Sequence, residues 1–238
     1  MYFLLAPKSQ VRLCPIGSFL PLSDRVDDKG VFYAVGSVIS PRFDRDNRMN
    51  VWGDVSQGKL FVYHLNYWNF LRNVHEALHK KMPATMTDYA NRLPNLKIAL
   101  EPYPTSLRLL NWIGYLSWNQ SEFTKDQHDT LTNSIYSQWR FLEKNIEYHL
   151  GGNHLLENFI SLLAGALFFR ETTKIVFYSK QLDREVHAQL CLDGGHVERS
   201  PMYHQLLLVR LLDLYGIILA YLPPSLEILN RLKIYIFL

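Results

Sequence analysis

Cysteine is scarce in this chain: Cys14 and Cys191, far apart, are the two among 238 residues. So few exclude a dense disulfide framework and any cysteine-based metal spacing. Two reduced, partly buried thiols are expected instead. Charge of one sign is scarce as well. Lys and Arg number 25 against 22 Asp and Glu, a formal net charge of +3. That is too slight for a nucleic-acid footprint, which needs basic residues clustered on one face, so no nucleic-acid partner is expected. The longest basic run, His79-Lys80-Lys81, reads as a solvated helix end. Long uncharged apolar runs are also missing. Leu206 to Leu222 comes nearest, but it carries Arg210 and Asp213 and is marginal for a bilayer. It is expected to be a buried helix, with no membrane span. The N-terminal Met1 to Pro7 is apolar yet too short for a signal-peptide core, and no basic residue precedes it. A cytoplasmic location follows if this N-terminus is the natural one, a periplasmic location if it is not.

What is present is core-forming material: 48% hydrophobic residues, 13% aromatic. That suffices for one sizeable core. Residues 1–58 are rich in Pro, Gly, Asp and Arg. Short β-like runs such as Val31 to Val35 alternate there with turn formers such as Asp27-Asp28-Lys29-Gly30, which predicts an irregular N-terminal segment. Residues 59–238 read as one helical domain. Stretches 60–80, 85–100, 105–119, 125–149, 154–170, 173–191, 201–221 and 225–236 each favour helix. In 125–149, Leu131, Ile135, Trp139, Leu142 and Ile146 recur at spacings of three and four and share a face. Thr124 can cap its start, and Gly151-Gly152 follow its end. Pro102, Pro104 and Pro201 fall at helix starts, where a missing N–H costs little. Short connections imply antiparallel neighbours, hence an all-α bundle or α/α toroid.

Two loops concentrate polar residues where helices meet. In Gly151-Gly152-Asn153-His154-Leu155-Leu156-Glu157-Asn158, two glycines allow a tight turn that presents Asn153 and His154 at a helix opening. Free N–H groups and the helix dipole favour an anion there. His154 and Glu157, three apart, can share a face, so Glu157 is expected to orient the imidazole. The plainer alternative is a capped helix with a hydrogen-bonded histidine. The second loop, Asp193-Gly194-Gly195-His196-Val197-Glu198-Arg199-Ser200-Pro201-Met202-Tyr203-His204, gathers two histidines, both charge signs and a tyrosine. A phenol held near Arg or His⁺ loses its proton more easily, or passes it to a leaving oxygen. The plainer alternative is a charged turn with Tyr203 packed on its rim. A zinc set of His154, His196 and His204 would need the fold to gather them; no short-range ligand pair supports it, and no metal is expected.

The two loops in context, "GGNHLLENFISLLAGALFF" and "LDGGHVERSPMYHQLLLVRLLDL", resemble the N-terminal domain of heparinase II/III-like polysaccharide lyases. The upstream segments "KLFVYHLNYWNFL" and "YPTSLRLLNWIGYL" resemble the same family, and the likeness spans residues from about 50 to 222. It implies an incomplete α/α toroid followed by an antiparallel β domain. It also implies β-elimination next to a uronate in an acidic polysaccharide, with no cofactor. Elimination needs a donor to neutralise the uronate carboxylate, a base for the C5 proton and an acid for the O4 leaving group. By resemblance, Asn153 (or His154) neutralises the carboxylate and Tyr203 is the acid/base. Glu157 orients His154, and His196, Glu198, Arg199 and His204 shape the sugar cleft. The family's further histidine, from the β domain, is not among these residues. The segment after Pro223-Pro224, "LEILNRLKIYIFL", reads as a truncated end. The 238-residue chain alone is therefore expected to be nearly inactive. A non-catalytic carbohydrate-binding or assembly protein using the same cleft is the alternative. A glycoside hydrolase would need two facing carboxylates, with Glu157 and Glu198 the candidates inside the motifs.

Overall fold

The computed structural model describes residues 51–221, apart from 75 and 192, together with three short strands before them. Cys14 and the expected helix at 225–236 lie outside the described residues. The strands, β1 (Arg25–Val26), β2 (Phe32–Ala34) and β3 (Ser37–Ile39), form an antiparallel sheet in the order β1-β2-β3. The β-like run at 31–35 thus contains β2. Phe32 is fully buried and packs edge-on against Phe61 and Phe70, at 5.5 and 5.6 Å between ring centroids.

The remainder is all-α and toroid-like, made of packed helix pairs. Among the described residues the α-helices are α1 (Lys59–Tyr67), α2 (Glu76–His79), α3 (Met82–Arg92), α4 (Pro102–Trp118), α5 (Lys125–Lys144), α6 (Gly152–Phe168), α7 (Thr172–Gln189) and α8 (Pro201–Tyr221). The helix expected over 60–80 is broken. Trp68 takes φ 59°, a left-handed conformation that stops α1 and turns its fully buried indole inward. Such a φ is uncommon outside glycine. Aromatic packing offsets the strain here: Trp68 stacks on Trp52 at 5.1 Å and meets Tyr89 and Trp112 edge-on.

Thr124 caps α5 in a reciprocal capping box with Gln127, as its position implies. Pro102 and Pro201 open α4 and α8. The helix expected over 125–149 instead ends at Lys144, with Asn145 as its C-cap. At the centre lies α6. Every residue from Leu155 to Phe168 is buried, and it packs on α4, α5, α7 and α8. A helix apolar on all sides belongs inside a protein. Gly165 is required there: an added Cβ would lie 2.4 Å from the Trp139 ring, whose Nε1–H donates to the Leu162 carbonyl at 3.0 Å. Among the described residues α8 alone is long and apolar enough to cross a membrane. It is not buried throughout as expected; one face packs on α6 and α4, while Met202 and Leu219 remain exposed. Cys191, expected to be partly buried, is exposed.

Candidate functional site

The start of α6 is built from the turn before it. Past Lys144 the chain bends back, and Glu147 becomes its fixed point. The Glu147 N–H donates to Asn158 Oδ1 at 2.8 Å, and its carbonyl accepts from the N–H groups of Leu150 and Gly151. Its carboxylate, nearly buried, takes Asn158 Nδ2–H on one oxygen at 3.1 Å and lies 3.2 Å from His154 Nδ1 with the other. Asn158 Nδ2–H also donates to Ser106 Oγ at 2.9 Å, which ties the turn to α4. Gly151, at φ 62°, makes the left-handed step into α6 that a side chain would resist. The His154 ring lies against Tyr103, from the first turn of α4, at 4.3 Å between centroids.

The loop between α7 and α8 closes on itself. Leu190 and His196 form an antiparallel bridge. Cys191 N–H donates to the Gly195 carbonyl at 2.8 Å, and Gly194 at φ 81° makes the reversal. His196 is buried, accepts the Glu198 N–H on Nδ1 at 3.2 Å and stacks on Tyr203 at 6.1 Å. Gln189, the last residue of α7, donates Nε2–H to the Gly152 carbonyl at 2.9 Å and accepts the Val197 N–H on its own carbonyl, which links the two polar loops through the end of α7.

Beneath the loops lies a buried set of charges. Arg210 Nε–H donates to Glu157 Oε1 at 3.0 Å, and Arg72 pairs with Asp213. Arg210 also donates to Asn69 Oδ1 at 3.3 Å, and Asn111 Nδ2–H to the same oxygen at 3.0 Å. Burial pushes the Glu157 carboxyl above the usual glutamate range, despite the guanidinium groups of Arg210 and Arg72. The Tyr103 phenol is pushed far up, by burial first and then by the Glu157 charge. Arg210, Tyr203 and Glu147 also act on it electrostatically. Of the two loops, the first thus supplies His154 directly against Tyr103, and the second supplies Tyr203 near enough to act on it.

Asn153 and His154 sit half-exposed in the first turn of α6, and Tyr203 half-exposed in the first turn of α8. Glu198, Arg199 and His204 are exposed, with Arg199 in a left-handed turn at φ 52°. One expectation is corrected. Glu157 does not hold the imidazole; it is buried against Arg210, and Glu147 is the partner of His154. Three residues on from His154, the helix turns Glu157 toward α8, whereas the preceding turn reaches the half-exposed ring. The same burial removes Glu157 as a hydrolase carboxylate. Among the described residues no three His, Cys, Asp or Glu side chains converge as a metal set would. Tyr103, Glu147 and Arg210 were not singled out by sequence reasoning. Tyr103 lies inside a segment that carried the family likeness, which was the available signal.

The chain belongs to the heparinase II/III N-terminus family, whose model matches residues 67–220, more than half of its length. The match takes in Tyr103, Glu147, Asn153, His154 and Tyr203. No curated protein and no solved structure matches it.

Proposed function

We propose that the entrance formed by the starts of α4, α6 and α8 receives a uronate of an acidic polysaccharide, and that the chain is the helical half of a polysaccharide lyase. The observation that carries this is that the two loops adjoin: His154 lies against Tyr103 in the first, His196 against Tyr203 in the second, and Gln189 bonds the Gly152 carbonyl between them. Asn153 or His154 neutralises the uronate carboxylate, so that charge moving off C5 meets a fixed donor. Tyr203 is the acid/base. The proton leaves C5, its electron pair forms the C4–C5 double bond, and the C4–O4 bond breaks with O4 taking a proton. His196 stacks on Tyr203 and sets its position; Glu198, Arg199 and His204 rim the cleft. Glu157 serves from beneath, by holding Arg210. The resemblance assigns one more site histidine to a β domain, which would complete the entrance.

Elimination leaves a double bond conjugated with the carboxylate, so the product absorbs in the ultraviolet, whereas hydrolysis leaves no such absorbance. The test joins the chain to the β domain that the resemblance implies, incubates it with alginate, heparin and their carboxyl-reduced forms, and follows binding, reducing ends and ultraviolet absorbance. Binding that requires the carboxyl groups, with absorbing ends released, is expected. Tyr203→Phe should cut release by about 10²–10⁴ while binding persists. Asn153→Ala should cut it by about 10²–10³. Reducing ends without absorbance, or full release by Tyr203→Phe, would overturn the lyase assignment. Carboxyl-dependent binding with no release at all would favour the non-catalytic alternative.

A further inference from the structure

Glu147 is held at every polar atom that it owns. Its N–H, its carbonyl and both carboxylate oxygens have partners, and one of those partners is His154. The proton positions in this cluster follow from which atoms can donate. Glu147 N–H needs an acceptor, so the Asn158 atom 2.8 Å away is the carbonyl oxygen, and Asn158 Nδ2 must face the Glu147 carboxylate and Ser106. An ionised carboxylate only accepts, so the imidazole nitrogen 3.2 Å from Oε1 must carry hydrogen. That nitrogen is Nδ1. The ring is further held by Tyr103 against its face, and 44% of its side chain stays open to solvent.

We infer that Glu147 is a positioning residue for the entrance: it fixes His154 as the Nδ1–H form, so that a ligand is met by Nε2 alone. This rests on the uronate-cleft reading above. A neutral His154 then offers a lone pair at Nε2 and a protonated one offers a donor there. Either way the approach direction is set before the ligand arrives, by a carboxylate that never touches it. Orienters of this kind act through the far nitrogen of an imidazole. Glutamine at 147 would have the same shape but one acceptor oxygen. Two donors, Asn158 Nδ2–H and the imidazole Nδ1–H, need that oxygen. With the buried Asn158 claiming it, the new amide NH₂ faces Nδ1, which must give up its hydrogen. The tautomer inverts to Nε2–H.

The test is ¹⁵N NMR of the histidine ring nitrogens at about pH 9, where unperturbed imidazoles are neutral. The His154 signal is assigned by its loss in His154→Ala. The unmodified chain is expected to show protonated Nδ1 and bare Nε2, and Glu147→Gln the reverse. Binding of an alginate oligosaccharide at that pH should tighten about two- to tenfold in Glu147→Gln, because the inverted ring offers the uronate carboxylate an Nε2–H in place of a lone pair. A bare Nδ1 or a tautomer mixture in the unmodified chain overturns the inference without any variant. An unchanged tautomer in Glu147→Gln overturns it as well. If the tautomer inverts and oligosaccharide binding stays the same, Glu147 still positions His154, and it is the polymer that is removed from this entrance.

Discussion

Arg108 and Arg210 each sit on an apolar helix, each is buried, and each is satisfied in a different way. Arg108 has neutral partners: Gln138 Oε1 at 2.7 Å, the Asn66 and Ala99 carbonyls at 3.1 and 2.9 Å, and Thr105 Oγ1 at 3.3 Å. Its guanidinium also lies over the Tyr89 ring. It ties α4 to α1, α5 and the turn before α4. Arg210 is instead held by charge, Glu157 at 3.0 Å and Asp213 three residues on, and Glu157 Oε2 is left with no hydrogen bond. The first arrangement is a saturated joint. The second carries electrostatic imbalance, and it lies directly under the residues of the candidate site. Buried charge that is fully met by neutral groups does structural work. Buried charge that is incompletely met also acts on its neighbours: after burial itself, the Glu157 charge raises the Tyr103 phenol, and Arg210 opposes it.

The largest effect should come from the saturated joint. Arg108→Met strands three buried carbonyl oxygens, those of Gln138, Asn66 and Ala99, at about 1–3 kcal/mol each, so the stability read from urea unfolding should fall by more than about 3 kcal/mol. No single second substitution should restore it. Arg210→Met leaves Glu157 buried and uncompensated, a loss of about 3–5 kcal/mol. Here a second change helps: adding Glu157→Gln should return a large part, because the stranded charge is gone. If the double variant is no more stable than Arg210→Met, the contrast between the two arginines fails.

A smaller effect separates the two regions by packing. Gly165→Ala drives a methyl into Trp139, the neighbour of Arg108's partner Gln138, at about 1–3 kcal/mol of overpacking. Thermal unfolding should register it, and oligosaccharide binding should not change. The smallest effect is in pH. The folded-state pKa of Glu157 is raised, so the folded form binds its proton more tightly than the unfolded form. Stability should therefore fall as pH rises from the ordinary glutamate range through that raised value, a slope absent in Glu157→Gln. Arg108, with neutral partners, should contribute no such slope. A chevron series across that range checks both.

The helices were legible from periodicity and from caps such as Thr124 and Pro102, because local spacing and local chemistry determine them. The overrun of α5 shows where that information ends. Ile146 continues the apolar spacing, but Glu147 is pulled out of the helix by Asn158, eleven residues away. The glycine pair at 151–152 and Pro201 placed the two polar loops correctly at the starts of α6 and α8. They did not reveal which acid reaches His154, because Glu157 stands at helical spacing whereas Glu147 arrives only through a turn made at Gly151. The break at Trp68 was hidden for a related reason: a left-handed step at a tryptophan is favoured by rings from three other segments, and nothing local announces it.

The buried charge set also has a history. Arg210 on α8 reaches Asn69 across 141 residues of chain, and Asp213 on the same helix completes the pair with Arg72. At a synthesis rate of about 5–20 residues per second, the early members wait roughly 7–30 s for their counterparts. During that interval α6 has emerged with Glu157 on a face that nothing yet covers. Contacts this distant in sequence are formed late and slowly. The entrance is therefore among the last parts of the molecule to exist, and a nascent chain stalled before α8 would expose an apolar helix bearing an unanswered acid, the kind of surface that a chaperone holds.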